Sequence, residues 1–314
     1  MRDVNPPSSP APVFLAGPTA VGKSAIALGW AERIGGEIIS VDSMQVYRGL
    51  DIGTAKPSPA EQARVPHHLI DVADLAEAFD AAKFLRLAQA AVQTVQARGR
   101  VPIFCGGTGL YFKAWLEGLG DAPPADAAVR AELAATPLAE LLVELKQRDP
   151  ECFARIDRQN PRRVVRALEV IRLTGQPFSK QRAEWNAECG ATGQAPTVIG
   201  LTREPEDLRA RIEARVDAMF AAGLVDETSR LLTAGLERNP TAMQAIGYRQ
   251  VVEHLRGERG LSETIALVKT RTWQFARRQR TWLRRQLPVV WVPLTADAAP
   301  AAVAECLPWQ GART

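Results

Sequence analysis

The stretch PVFLAGPTAVGKSAIALGWAERIG, Pro12 to Gly35, decides the fold. Its centre, GPTAVGKS from Gly17 to Ser24, fits G-x-x-x-x-G-K-[ST], the pattern of a loop that cradles phosphates. A short apolar run leads into it, and a segment with helical spacing that stops at Gly35 follows it. The motif requires this strand–loop–helix context. Gly17 and Gly22 let the backbone turn, through Pro18, Thr19, Ala20 and Val21, so that its N–H groups converge on phosphate oxygens. Lys23 adds a point charge. Ser24 opens the helix, where its hydroxyl reaches Mg²⁺. The loop reads a diphosphate and leaves open what the diphosphate carries.

Working outward, EIISVD (Glu37–Asp42) reads as a second buried strand, and VPIFCGG (Val101–Gly107) as a third that runs into a glycine turn. Between them, AAKFLRLAQAAVQTVQARG (Ala81–Gly99) is amphipathic with a glycine stop. TVIGLTRE (Thr197–Glu204) is a fourth strand, and Pro205–Glu227 is expected as one long helix. Strands alternating with helices predict an α/β fold, a P-loop NTPase-like parallel sheet flanked by helices. GDAPPADAAVR, from Gly120, marks a boundary. From there to about Gly193 the pattern is helical, including Asn160–Pro177, where Asn160 is placed to cap, Pro161 suits the first turn and Gly175 ends the helix. The expected organisation is a proline-rich, disordered lead-in over 1–12, a core over 13–120 and 197–314, and an all-helical insertion over 121–196.

The last long helix, about Ser262 to Gln286, is expected to pack along Val268, Thr272, Phe275, Gln279 and Trp282. Its flanks carry Lys269, Arg271, Arg277, Arg278, Arg280, Arg284 and Arg285, with no acidic residue between Glu263 and Asp297. The net charge of the chain is +4; Leu261–Thr314 holds eight Lys/Arg against three Asp/Glu, which leaves the first 260 residues at about −1. A basic helix beside Trp273 and Trp282 points to nucleic acid. No run of 18 apolar residues occurs, so no membrane span is expected. MRDVNPPSSPAP lacks the apolar region of a signal peptide. Cys105, Cys152, Cys189 and Cys306 are scattered, which fits reduced cysteines in the cytoplasm and neither a zinc site nor a disulfide framework.

Asp42 ends a strand, at the sheet edge where ligands of open α/β folds bind. A carboxylate there supports Mg²⁺, acts as a general base, or simply caps a turn. CGGTGLY places Gly106, Gly107 and Thr108 at the same edge, as either a site or an ordinary turn. Arg211 and Arg215 share a helix face and suit diphosphate oxygens, or else pair with Glu213 or Asp217. A metabolite or nucleotide kinase would share the loop and Asp42 but has no need of the basic helix. A guanine-reading GTPase would need an N-K-x-D-like segment, which is absent.

GPTAVGKS, SVDSMQVYRGLDIGTAKP, HHLIDV, GGTGLYFKA, NPRRVVRALEV, QAIGYRQ and TRTWQFARRQRTWLR stand in order from about Val13 to Arg284. Together they resemble tRNA dimethylallyltransferases (tRNA isopentenyltransferases) of the shorter bacterial type, without the C-terminal zinc finger of eukaryotic relatives. The resemblance implies transfer of a dimethylallyl group from dimethylallyl diphosphate to N6 of the adenosine just 3′ of the anticodon, in tRNAs reading codons that start with U. It implies Asp42, Thr108, Arg215 and Lys23 as catalytic residues, Gly17–Ser24 as the diphosphate loop, and Mg²⁺ on Ser24. It implies tRNA contacts at Asp42, Ser43, Met44, Gln45, Thr108, Arg130, Arg162, Arg163, Val164, Val165 and Arg166. It adds Gln244, Ala245, Ile246, Gly247, Tyr248, Arg249, Arg277, Arg278, Gln279, Arg280, Thr281, Trp282 and Arg284, with the insertion against the anticodon stem. Adenylate isopentenyltransferases, which prenylate free nucleotides, would leave the arginine-rich C-terminus without purpose. Nothing demands more than a monomer. Trp185–Ala195 and both tails match nothing usable.

Overall fold

The computed structural model describes residues 9–120, 122–181 and 197–309. Residues 1–8 of the proline-rich lead-in, together with Cys189 and the Trp185–Ala195 stretch, lie outside the described residues. The chain divides into two compact units, 1–113 with 196–314, and 114–195.

The first unit is built on a six-stranded, wholly parallel sheet. Its elements begin with β1 (Val13–Ala16), α1 (Lys23–Ile34), β2 (Gly36–Val41), α2 (Pro59–Arg64), β3 (His67–His68), α3 (Ala81–Ala97), β4 (Val101–Gly106) and α4 (Gly109–Glu117). The second unit supplies α5 (Ala127–Ala135), α6 (Leu138–Arg148), α7 (Pro150–Arg155), α8 (Pro161–Thr174) and α9 (Phe178–Gln181). The chain then returns to the sheet with β5 (Val198–Arg203), α10 (Pro205–Ala221), α11 (Leu224–Thr233), α12 (Tyr248–Leu255), α13 (Leu261–Gln286), β6 (Val289–Leu294) and α14 (Pro300–Cys306). The strand order is β3-β2-β4-β1-β5-β6. β2 and β4 are buried along their whole length, as strands covered on both faces must be. Among the described residues, no helix is long and apolar enough to cross a membrane.

Leu15, Ile103, Leu201, Trp30, Ile26 and Ile212 form part of the core of this unit, each at most 1 % exposed. A side chain of that size contributes roughly 1.5–3 kcal/mol when fully buried. The helical unit has a separate core of Leu133, Leu141, Leu145, Cys152, Val164, Ala167, Leu168 and Ile171.

Several local expectations need correction. The long helix after β5 breaks at Gly223, whose φ of +96° is easy only for glycine, and α11 starts anew. Asn160 sits at the N-cap of α8 but its side chain makes no capping bond; Pro161 and Gly175 act as expected. On α13 the buried line is Thr264, Val268, Ala276 and Leu283, and Phe275 is exposed. Two strands, β3 and β6, escaped the sequence. β3 is two residues long, and β6 is a half-exposed edge containing Pro293.

Gly106 pairs with Val41 across β4 and β2, and a Cβ there would lie 2.1 Å from the Val41 carbonyl oxygen. Backbone atoms cannot swing aside as a side chain does. Gly106→Ala is expected to lower the urea unfolding midpoint by the equivalent of about 1–3 kcal/mol or more. Gly260→Ala, with open space around it but at the N-cap of α13, should lower it by the equivalent of less than about 1 kcal/mol, the usual gap between Gly and Ala at a cap.

Candidate diphosphate and base-modification site

The loop between β1 and α1 is shaped by what holds its carbonyls. Lys23 Nζ donates to the Pro18 carbonyl (2.7 Å), Arg211 Nε to that of Ala20 (3.1 Å) and Arg203 Nε to that of Val21 (2.9 Å). In a trans peptide the N–H points opposite to the C=O. Tying back the Ala20 and Val21 carbonyls therefore turns the Val21 and Gly22 N–H groups the other way, toward the first-turn amides of α1. Ala20 takes a left-handed φ of +63°, rare for a residue with a side chain, and Gly22 follows at +107°. Alternation of this kind makes an anion-binding concavity. Gly17 lets the loop lie close on β5, since a Cβ there would come within 2.9 Å of the Leu201 carbonyl oxygen.

The cations around the loop are crowded. Burial pushes the Lys23 ammonium down to about 8; Cys105 and Asp42 oppose that drop and Arg215 adds to it. Arg215 reaches Thr19 Oγ1 (3.1 Å), and its own proton affinity is lowered, first by burial, against the pull of Asp42. Of the readings open for Arg211 and Arg215, the pair therefore faces the loop. Glu213 pairs with Arg209 and Asp217 with Lys269. A cradle of free amides with crowded, incompletely neutralised cations is what a diphosphate would satisfy.

Two strands over, at the end of β2, Asp42 Oδ1 accepts the N–H groups of Met44 (2.8 Å) and Gln45 (3.2 Å). Asp42 thus caps its turn with one oxygen, and among the described residues no hydrogen bond occupies the other. Thr108 Oγ1 accepts the Ser43 N–H (3.2 Å), and the Thr108 N–H donates to Val41 (3.1 Å), which ties the second glycine turn to Asp42. Gln45 accepts from Ser40 and donates to the Thr54 and Ala55 carbonyls. The loop that follows is fixed from a distance. Buried Glu227 accepts the Ile52 N–H and the Tyr248 hydroxyl, and that hydroxyl accepts the Gly53 N–H. Burial, and next the Glu227 carboxylate, hold Tyr248 protonated well above the usual tyrosine range.

The remaining expected contacts divide. Tyr248, Ala245, Gly247 and Val164 are buried, so their roles are packing and support. Gln244 and Arg249 are exposed, with Ile246 between. In the helical unit Arg166 and Arg130 both bind Glu169, which is fully buried (2.6 and 2.8 Å), while Arg162 and Arg163 are exposed and Val165 half-buried. On α13, Arg277, Arg278, Thr281 and Arg284 face solvent and Arg280 is half-buried. None of these arginines forms an ion pair among the described residues, whereas Lys269 is neutralised by Asp217. Trp282 lies over Gly109, where a Cβ would come within 2.1 Å of its ring. Gln279 faces inward, between the two glycine turns. Sequence reasoning missed Arg203 and Glu227; the only signal for either was an unexplained charge next to a strand or in an apolar helix face.

A family profile described as IPP transferase matches residues 45–286. The chain belongs to this family. A tRNA dimethylallyltransferase of Halorhodospira halophila is 50% identical over 285 residues, covering 88% of this chain and 91% of that protein. One from Geobacter metallireducens is 47% identical over 285 residues, covering 89% and 91%. The solved tRNA isopentenylpyrophosphate transferase of Bacillus halodurans matches with a TM-score of 0.67 at 40% identity, covering 95% of this chain and 94% of that one. A eukaryotic dimethylallyltransferase acting on tRNA matches with a TM-score of 0.74 at 26% identity, covering 92% and 74%. Within the family fold, the site lies at the carboxyl ends of β1, β2 and β4, where open parallel sheets bind ligands.

Lys23 gives a signed prediction. A bound anion favours the ammonium, so binding inorganic pyrophosphate should add up to about three-quarters of a proton at Lys23 near pH 8.5 and almost none near pH 6.5, on top of the pyrophosphate's own titration. Calorimetry in buffers of different ionisation heat reads that uptake. The Lys23 increment is the uptake by the unaltered protein minus that by Lys23→Met; equal uptake in both proteins near pH 8.5 would contradict the assignment.

Proposed function

We propose that the protein transfers a dimethylallyl group from dimethylallyl diphosphate to N6 of the adenosine 3′-adjacent to the anticodon, in tRNAs reading codons that begin with U. The observation that carries this reading is Asp42, held by two backbone amides and bound through Ser43 to Thr108, on the strand end beside a diphosphate cradle. An adenine N6 amine is a poor nucleophile because its lone pair is delocalised into the ring. The carboxylate accepts a hydrogen bond from the amine, aims its lone pair and takes the proton as the N–C bond forms. Carbon 1 of the prenyl group gains that bond and loses its bond to oxygen, and diphosphate leaves. Lys23, Arg215 and the amides from Val21 to Ser24 hold the charge that collects on the leaving group. The base must be splayed out of its loop to reach the site.

The donor set suits Mg²⁺. Ser24 is exposed at the loop mouth with no hydrogen-bond partner among the described residues. No three His, Cys, Asp or Glu side chains gather there or elsewhere among the described residues. That fits an ion that keeps waters and takes most of its oxygens from the substrate. Ser24 would hold it, and it would supply further charge stabilisation to the diphosphate.

The unpaired arginines on α13 supply the phosphate-binding surface, and Arg162 and Arg163 of the helical unit supply cations for the anticodon stem. Free thiols at Cys105 and Cys306 fit the cytoplasm, where tRNA is available.

Asp42→Ala should lower kcat by about 10²–10⁴-fold, the usual range for losing a general base, while tRNA affinity stays within a few-fold. Turnover near the wild-type rate would sink the general-base role. Raising salt from 50 to 200 mM should weaken tRNA binding steeply, with a log–log slope of several units. A flat response would remove α13 from the interface.

A further inference from the structure

Gln279 stands between Arg278 and Arg280 in sequence but lies on the packing side of α13 with Ala276 and Leu283, and its side chain points to the diphosphate loop. Its Oε1 accepts the Thr19 N–H (2.8 Å) and its Nε2 donates to the Gly107 carbonyl (3.0 Å). The second glycine turn is shaped to admit it, because a Cβ on Gly107 would lie 2.3 Å from Gln279 Nε2. Thr19 N–H and the Pro18 carbonyl belong to one peptide unit, and that carbonyl accepts Lys23 Nζ (2.7 Å). With a trans peptide the two groups point in opposite directions. Gln279 and Lys23 therefore grip the same rigid plane from its two sides. One turn along, Trp282 packs on Gly109 of the same glycine turn.

We propose that Gln279 is a positioning residue for the transfer reaction: it fixes the Pro18–Thr19 peptide that aims Lys23, and links it to the turn carrying Thr108. A carboxamide does both, donating with one atom and accepting with the other. At this position the side chain makes an internal contact in place of the expected tRNA one, while Arg277, Arg278 and Arg284 are exposed and open to phosphates. Without Gln279 the Thr19 amide loses its partner, the Pro18–Thr19 plane is free to rotate, and the lysine loses its fixed acceptor.

The inference rests on the prenyl-transfer reading but is tested first by a probe that does not need it. In Gln279→Met, of similar length and without either hydrogen bond, the Kd for inorganic pyrophosphate with Mg²⁺ should rise about five- to tenfold in the absence of tRNA. tRNA affinity should stay within twofold, whereas Arg277→Ala should weaken it. A pyrophosphate Kd within twofold of the unaltered protein overturns the proposal, whatever tRNA does. If the unaltered protein itself fails to bind pyrophosphate, the diphosphate-loop reading falls and this proposal with it. Gln279→Glu, isosteric and still able to accept from Thr19, guards against a folding failure. It sets a carboxylate against the Gly107 carbonyl, so kcat for transfer should fall at least fivefold with tRNA affinity within twofold. An unchanged kcat overturns the link to Thr108. Transfer absent from the unaltered protein, with pyrophosphate binding intact, overturns the prenyl-transfer reading and with it a role for Gln279 in that reaction.

Discussion

The architecture depends on the direction in which a few peptide planes face. An anion cradle made of backbone amides has no side-chain charge of its own, so its shape is its chemistry. Left alone, a glycine-containing loop would rotate its carbonyls toward the same space. Here Arg203 and Arg211 hold two carbonyls back, Lys23 holds a third, and Gln279 holds the amide opposite it. Three of these four side chains come from β5, α10 and α13, far along the chain. The loop is therefore a product of the whole α/β unit. The parallel sheet matters because it brings those elements to one edge.

The same logic extends to the carboxylate. Asp42 is fixed by its own turn, and the segment after it is fixed by Glu227 and Tyr248 from α11 and α12. A base that accepts a proton from a weak amine needs an accurate position more than an unusual proton affinity. The buried tyrosine and glutamate serve that end. They explain why a segment matched to tRNA recognition contains side chains that no tRNA can touch.

The strand–loop–helix unit, the parallel sheet and the helical insertion were legible because they rest on local periodicity and on glycine and proline punctuation. Lys23, Asp42 and Thr108 were legible because each follows a strand end. Other features were not. Gln279 stood on the expected packing stripe of its helix, but it bonds to a residue 260 positions away, and helical spacing names no partner at that distance. The buried line of α13 runs through Ala276 and not through Phe275, a choice made by the neighbours that the helix meets. Gly223 was hidden inside a helical pattern, since hydrophobic spacing continues across the break. Val164 and Tyr248 lie in motifs where core and contact positions interleave every three or four residues, and burial alone separates them.

The central claim is that the loop grips a leaving group and that the carbon chain is what moves. A single incubation with unmodified tRNA tests this directly, using dimethylallyl diphosphate labelled with one isotope in the prenyl carbons and another in phosphorus. The account predicts that the carbon label appears in N6-modified adenosine beside the anticodon, and that all of the phosphorus label is released as diphosphate. Phosphorus label on an acceptor, or carbon label left on diphosphate while ATP phosphorylates a small molecule, would contradict it.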